Sequence, residues 1–241
     1  VTGNVTLYAQ WKKTEAQETP EPGKDDPEAT PVPEKAAEAV TESEKVQAKI
    51  ELDEGIKVSP KGSEITVKWG AVSNADRYVI YAAYCRKGSK CVKIATLDGD
   101  AGSYVITELN GEPLNTKKSV KVYVVAYHLA DGQYVKLARS LVTHVAGADS
   151  PKYSNVKSIK LESTEISIKK KKTYVLKPEI VLKDSRKAML HHVAEFRYAT
   201  SDASVATVDK NGTITAVGKG SCTICVYAQN GYAKKVKVTV E

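Results

Sequence analysis

One methionine, one phenylalanine, two tryptophans and four each of histidine and cysteine stand among 241 residues. So few soft and imidazole ligands leave little material for a metal cluster or a histidine-dependent catalytic centre. No apolar run approaches the roughly 20 residues that a membrane-spanning helix needs, so no membrane span is expected. A Gly-x-Ser-x-Gly nucleophile elbow is missing too. Gly218-Lys219-Gly220-Ser221 is not a phosphate loop, because it lacks a Gly five residues before Gly218 and a Ser or Thr directly after Lys219. Acidic residues fall mainly at turns or in the N-terminal tract, with no pair placed as a general acid and base. No catalytic residue, cofactor or metal is therefore expected, and the chain is read as a non-enzyme. It starts Val1-Thr2-Gly3, with neither Met nor a signal peptide, and reads as a fragment of something longer.

What is present is ordinary globular material: 41% hydrophobic and 27% charged, enough for one large domain or two of about 100 residues. Thirteen tyrosines lie in segments thick with Val, Thr, Ile and Lys, which favours strands with one wet face and an all-β fold. The net charge of +7 is unevenly spread, at −5 over residues 1–47, +4 over 48–153 and +8 over 154–241. The acidic piece, with Thr19-Pro20-Glu21-Pro22-Gly23 and Thr30-Pro31-Val32-Pro33-Glu34, has almost nothing apolar to bury. It is expected to be an extended, disordered linker over 14–47. Glu34 to Lys49, with Ala36, Ala37, Ala39 and Val40, suits a short helix about as well as an extended chain.

From about Ile50 the pattern becomes period two, punctuated by turn residues every 8 to 12 positions, as a β-sandwich requires. Expected strands are Ile65–Trp69, Tyr78–Tyr84, Val92–Leu97, Ser103–Thr107, Ser119–His128 and a return from Tyr134 to Val145. The residues Ile65-Thr-Val-Lys-Trp69, Tyr78-Val-Ile80, the Leu109-Asn-Gly111 corner and Val120-Lys-Val-Tyr-Val-Val-Ala126 make this stretch, 48–150, resemble a fibronectin type III module. Val120 stands where that family usually places a tyrosine that closes a corner through its hydroxyl, so the corner bond must be absent or replaced.

A second resemblance covers 154–241. Tyr198-Ala-Thr-Ser-Asp-Ala-Ser-Val-Ala-Thr-Val-Asp-Lys-Asn-Gly-Thr-Ile-Thr-Ala-Val-Gly-Lys-Gly-Ser-Cys-Thr-Ile224, followed by Lys235-Val-Lys-Val-Thr-Val240, looks like a bacterial Ig-like domain of group 2. Lys210-Asn211-Gly212 reads as its hairpin turn. Asp184 to His192 departs from the family pattern and reads as an inserted loop or one-turn helix. Residues 1–13 resemble the closing strand of an internalin-type B repeat. Two consecutive immunoglobulin-like sandwiches after the linker are thus expected.

Three features are candidates for function. Alternation places Cys85 and Cys91 on one outward face across a five-residue hairpin loop, where they either form a disulfide worth roughly 2 kcal/mol or remain two thiols. Cys222-Thr-Ile-Cys225 has metal-motif spacing, but residues three apart on a strand face opposite ways, with Cys222 inward and Cys225 outward, so zinc is not expected even with His191 and His192 in the chain. Lys169, Lys170, Lys171 and Lys172 fall between two strands, either as a solvated turn or as a salt-sensitive contact for anionic wall polymer or acidic glycan. Nucleic acid is not expected, since no basic-aromatic interleaving accompanies them. On the fibronectin-like module, Tyr123, Val125 and Tyr127 should lie beside Val79, Tyr81 and Ala83 on an outer face unusually apolar for one that meets water. Strand composition alone accounts for such a face, or it is an interface for a neighbouring domain, a protein or a sugar ring.

A string of modules with these resemblances implies a monomeric, non-catalytic segment of an exported bacterial surface or secreted protein. It would space and present other domains, with adhesion to cell-wall polymer, glycan or host protein as a further role. The alternative is a carbohydrate- or protein-binding module acting through the tyrosine face.

Overall fold

The computed structural model describes residues 40–241, so the repeat expected at 1–13 and most of the acidic tract lie outside the described residues. Among the described residues the fold is two immunoglobulin-like β-sandwiches preceded by one helix. Helix α1, Glu42–Gly55, starts at Thr41, whose hydroxyl accepts the Glu44 N–H at 3.2 Å while the Glu44 carboxylate takes the Thr41 N–H at 2.8 Å. This reciprocal capping box satisfies two donors that a helix start leaves unpaired. The helix crosses the 47/48 boundary drawn from composition and runs beyond Lys49. Ala48, Leu52 and Ile56, spaced four apart, share one face and are buried in the core of the first sandwich.

That sandwich contains β1 (Lys57–Lys61), β2 (Glu64–Lys68), β3 (Arg77–Tyr84), β4 (Val92–Asp98), β5 (Ser103–Ile106), the two-residue strands β6 (Glu108–Leu109) and β7 (Glu112–Pro113), β8 (Val120–Ala130), β9 (Gln133–Arg139) and β10 (Thr143–Val145). One sheet is ordered β1-β2-β5, and the other runs β4-β3-β8 with both β9 and β10 along the far side of β8. Period two holds where it should: Ile65, Val67 and Trp69 from one sheet and Tyr78, Ile80, Ala82, Val120, Val122 and Val124 from the other meet in the core. Alternation along β4 puts Val92 on the same side as Ile94, which packs against the core, yet Val92 is 45% exposed. A register shift opposite Ile80 and Tyr81 offsets this end of edge strand β4, where the core has little to cover it.

The return from Tyr134 to Val145 is broken between β9 and β10. The Ser140 hydroxyl accepts the Val124 N–H at 3.0 Å, and the Leu141 N–H turns to the Asp53 carboxylate at 2.6 Å. A carboxylate from α1 thus takes a donor that a continuous strand would spend on its neighbour. The corner bond that Val120 cannot make is supplied by Tyr84, which lies opposite Val120 and whose hydroxyl accepts the Asn115 N–H at 2.8 Å.

The second sandwich contains β11 (Val156–Lys160), β12 (Glu165–Ile168), β13 (Thr173–Val175), β14 (Glu179–Leu182), β15 (Phe196–Thr200), β16 (Ala206–Val208), β17 (Thr213–Ala216), β18 (Gly220–Ala228) and β19 (Ala233–Val240). Its largest sheet is β12-β19-β18-β15, in which β12 pairs parallel with the last strand. Ile159, Ile214, Ile224, Val236 and Val238 fill the core. The Lys210–Gly212 turn joins β16 to β17, with the Asp209 carboxylate accepting the Asn211 and Thr213 N–H groups at 2.8 and 2.9 Å. Asp184 to His192 is a loop, pinned at its start by Asp184, which accepts the Arg186 N–H at 3.1 Å.

Candidate functional site

The sequence-derived tyrosine face exists. Antiparallel pairing of β3 with β8 sets Tyr81 opposite Tyr123, Val79 opposite Val125 and Arg77 opposite Tyr127, all on the side away from the core. The Tyr81 and Tyr123 rings stack with centroids 4.9 Å apart and planes 13° from parallel. The Arg139 guanidinium stands over Tyr123 at 5.3 Å, and that of Arg77 over Tyr134 at 3.4 Å. Val79 and Val125 differ from expectation, being only 7% and 4% exposed. Flanked by the Tyr81–Tyr123 pair and by Arg77 and Tyr127, they underlie the surface, and the half-buried tyrosines with their arginines form it. Burial pushes the phenols of Tyr123 and Tyr127 above the usual tyrosine range, so both remain neutral hydrogen-bonding groups at physiological pH.

Lys169 to Lys172 form the expected exposed turn between β12 and β13, with the Lys172 N–H donating to the Lys169 carbonyl at 3.0 Å. The turn lies on the second sandwich and the tyrosines on the first, so the fold leaves the two candidate surfaces separate.

Cys222 is buried as expected. Cys225 does face away from the core, but it is only 4% exposed because α1 covers that side of the sheet. Its thiol approaches the Glu54 carboxylate at 3.6 Å, and burial raises it to about 11. Cys85 and Cys91 are half-buried free thiols. Burial also raises Cys85 to about 11, against the opposing influence of nearby Lys121.

The ten residues from Ala146 to Asn155 already imply closely joined sandwiches, but the sequence did not reveal which contacts join them. On its other flank α1 meets the second sandwich, where Glu54 pairs with Lys235 at 2.6 Å. A cavity of about 340 Å³ beneath α1 is lined by Val46, Ile50, Ala199 and Tyr227. The turn between β18 and β19 reaches back to the first sandwich: the Asn230 carbonyl accepts the Val58 N–H at 3.0 Å, and that of Gln229 accepts the His144 N–H at 2.7 Å. Arg197, on β15, donates to the Val142 carbonyl at 2.7 Å and to that of Ala228 at 3.3 Å. The connection between sandwiches is tied off by Asn155, whose amide both donates to the Ala146 carbonyl and accepts its N–H at 2.9 Å. Finally, the 184–192 insert folds onto this connection, with the Ala188 N–H donating to Lys152 at 3.0 Å and the Ser154 N–H to Ala188 at 2.8 Å.

At the edge of the joint the insert delivers His192. Its Nε2 lies 3.2 Å from Nδ1 of His144 on β10, and the same Nδ1 lies 3.5 Å from the Cys85 sulfur. Burial first, then the neighbouring His192, Arg197 and Lys121, lower His144 to about 4, so its ring is neutral at physiological pH. Neither spacing nor local motif ties residues 85, 144 and 192 together, and only the docking of the insert brings them within reach.

Residues 155–240 match the family model of the bacterial Ig-like domain (group 2), which coincides with the second sandwich. None of the curated proteins matches the chain. Among solved structures, domains 4 and 5 of the S-layer protein SbsC share 16% identity over 76% of this chain and 84% of that one, with a TM-score of 0.30. The fibronectin(III)-like modules of Clostridium thermocellum CbhA share 12% over 77% and 94%, with a TM-score of 0.26. The FN1-FN3 domains of chicken CNTN1 share 10% over 77% and 65%, with a TM-score of 0.31.

Proposed function

We propose that the chain is a non-catalytic extracellular segment of a bacterial surface or secreted protein, a spacer that holds other domains at a fixed distance and angle. In this reading the first sandwich is a fibronectin type III-like module and the second a bacterial Ig-like module. The joint supports it: backbone hydrogen bonds from Val58 and His144 to the β18–β19 turn, with α1 packed on both modules, suit a rigid strut. Free modules on a flexible tether would have little use for such contacts. Residual dipolar couplings of the full chain test this directly. One alignment tensor for both sandwiches is the expected result, and two independent tensors would refute the strut.

A second reading, binding of glycan or protein through the tyrosine face, is favoured by the Tyr81–Tyr123 stack flanked by Arg139. Flat aromatic surfaces with polar rims suit sugar rings and half-wet protein contacts. An array of glycans and wall polymers at low and physiological salt, probed with the chain and its Tyr81→Ser/Tyr123→Ser variant, separates the two. Binding that survives salt and disappears in the variant makes this a recognition module. A strut shows no such difference.

A further inference from the structure

We propose that Cys85, His144 and His192 form a zinc site that bridges the two sandwiches. The three donor atoms, one thiol sulfur and two ring nitrogens, all lie within 4.8 Å of one another. In a tetrahedral site with Zn–S of about 2.3 Å and Zn–N of about 2.05 Å, sulfur–nitrogen edges come to about 3.6 Å and nitrogen–nitrogen edges to about 3.3 Å. The Cys85–His144 and His144–His192 separations, 3.5 and 3.2 Å, are those edges.

Hydrogen bonding accounts for the cluster less well. A ring nitrogen offers one lone pair or one N–H, and here a single Nδ1 faces both a thiol and a second imidazole. One cation at the centre of the three gives every lone pair the same partner.

A thiolate with two imidazoles is a borderline-soft set suited to zinc rather than calcium or magnesium. The scaffold holds two ligands firmly from the first sandwich: the Cys85 N–H donates to Ser119 at 2.8 Å, and the His144 N–H to Gln229 at 2.7 Å. The third arrives from the second sandwich on the insert that departs from its family's pattern. A cleft of about 410 Å³, bordered by Cys85 and His192, leaves room for a water or an anion as fourth ligand. Lys117, Lys118 and Lys152 line the cleft, while Lys121 and Arg197 act on His144. This positive rim opposes a dication, so affinity should fall below that of a closed four-cysteine site, and an anionic fourth ligand is favoured. The site stands without the spacer reading, but its mechanical consequence, a metal-dependent stiffening of the joint, rests on it.

The test uses the full chain, reduced and stripped with chelator, then titrated with cobalt(II) as an optical probe and challenged with zinc(II). Thiolate-to-cobalt charge transfer and tetrahedral ligand-field bands that zinc displaces are expected, together with a zinc-dependent rise in thermal midpoint. His192→Ala changes an exposed side chain and should leave the fold intact while weakening metal binding on the order of tenfold or more. His191→Ala and Cys91→Ser should keep both bands, whereas Cys85→Ser should lose the charge transfer. The site is overturned if no charge-transfer band develops, if the cobalt concentration it needs is unchanged in His192→Ala, or if it follows Cys91 rather than Cys85. Dipolar couplings with and without zinc separately test the stiffening, so loss of the strut and loss of the site give different results.

Discussion

Replacing Gly231 with alanine tests whether the joint is structural or incidental. Gly231 has φ of +81°, and a Cβ there would lie 2.3 Å from the Ile56 carbonyl oxygen and 3.0 Å from Thr143 Cγ2, both in the first sandwich. Gly88 is the matched control, with φ of +75° and nothing within 4 Å of an added Cβ. An L-residue in the left-handed region costs about 1–2 kcal/mol whatever surrounds it, and Gly88→Ala measures that contribution alone. Gly231→Ala must also displace the β18–β19 turn from the Val58 and His144 N–H groups, at a net of about 1 kcal/mol for each bond. It should therefore lose about 2 kcal/mol more than the control. At roughly 2–4 °C per kcal/mol for a chain of this size, the extra fall in midpoint is about 4–8 °C. Calorimetry of both variants, with dipolar couplings on Gly231→Ala, reads the result. Equal midpoints for the two variants, with module orientation unchanged, would refute the idea that the turn locks the sandwiches together.

Two further substitutions probe α1. Leu52, with no exposed surface, packs into the first core, so Leu52→Ala should cost about 2–5 kcal/mol in chemical denaturation; a loss under about 1 kcal/mol would mean that the helix is not integral to that core. Asp53 is buried, and desolvation raises its carboxyl above the ordinary range despite Lys49, the Leu141 N–H and Arg197. An acid raised on folding contributes stability that is full below its unfolded value of about 3.9 and is lost as pH rises through the folded value. Asp53→Asn should remove that decline, so the stability of the variant relative to the parent should be greater at pH 7 than at pH 4. Parallel pH profiles in urea would show that the carboxylate is adequately compensated where it lies.

Much of the architecture was legible because period-two patterning is a local consequence of the pleat. The core side shared by Val122, Val124 and Ala126 with Ala82, Ile80 and Tyr78 opposite them is what alternation along each strand gives, and Tyr81 stacking on Tyr123 follows once the two strands pair. The helix was only half legible. Its signal was the Thr41-Glu-Ser-Glu44 capping box rather than the alanines before it, and composition drew the linker through its first turn. Val79, Val92, Val125 and Cys225 show where alternation stops being enough. Which way a side chain points is set by the strand, but whether water reaches it depends on what the rest of the chain lays over it or leaves bare.

The amino-acid sequence by itself determined two sandwiches, their strand order along the chain and the faces their side chains occupy, because backbone geometry and turn chemistry act over a few residues. The tertiary structure alone decided that α1 is shared between the sandwiches, that Asp53 interrupts a strand 88 residues away, and that an insert carries His192 to Cys85 and His144. Those contacts join residues whose separation in sequence carries no periodic signal, and they exist only because the helix, the strands and the insert are complementary where they pack together.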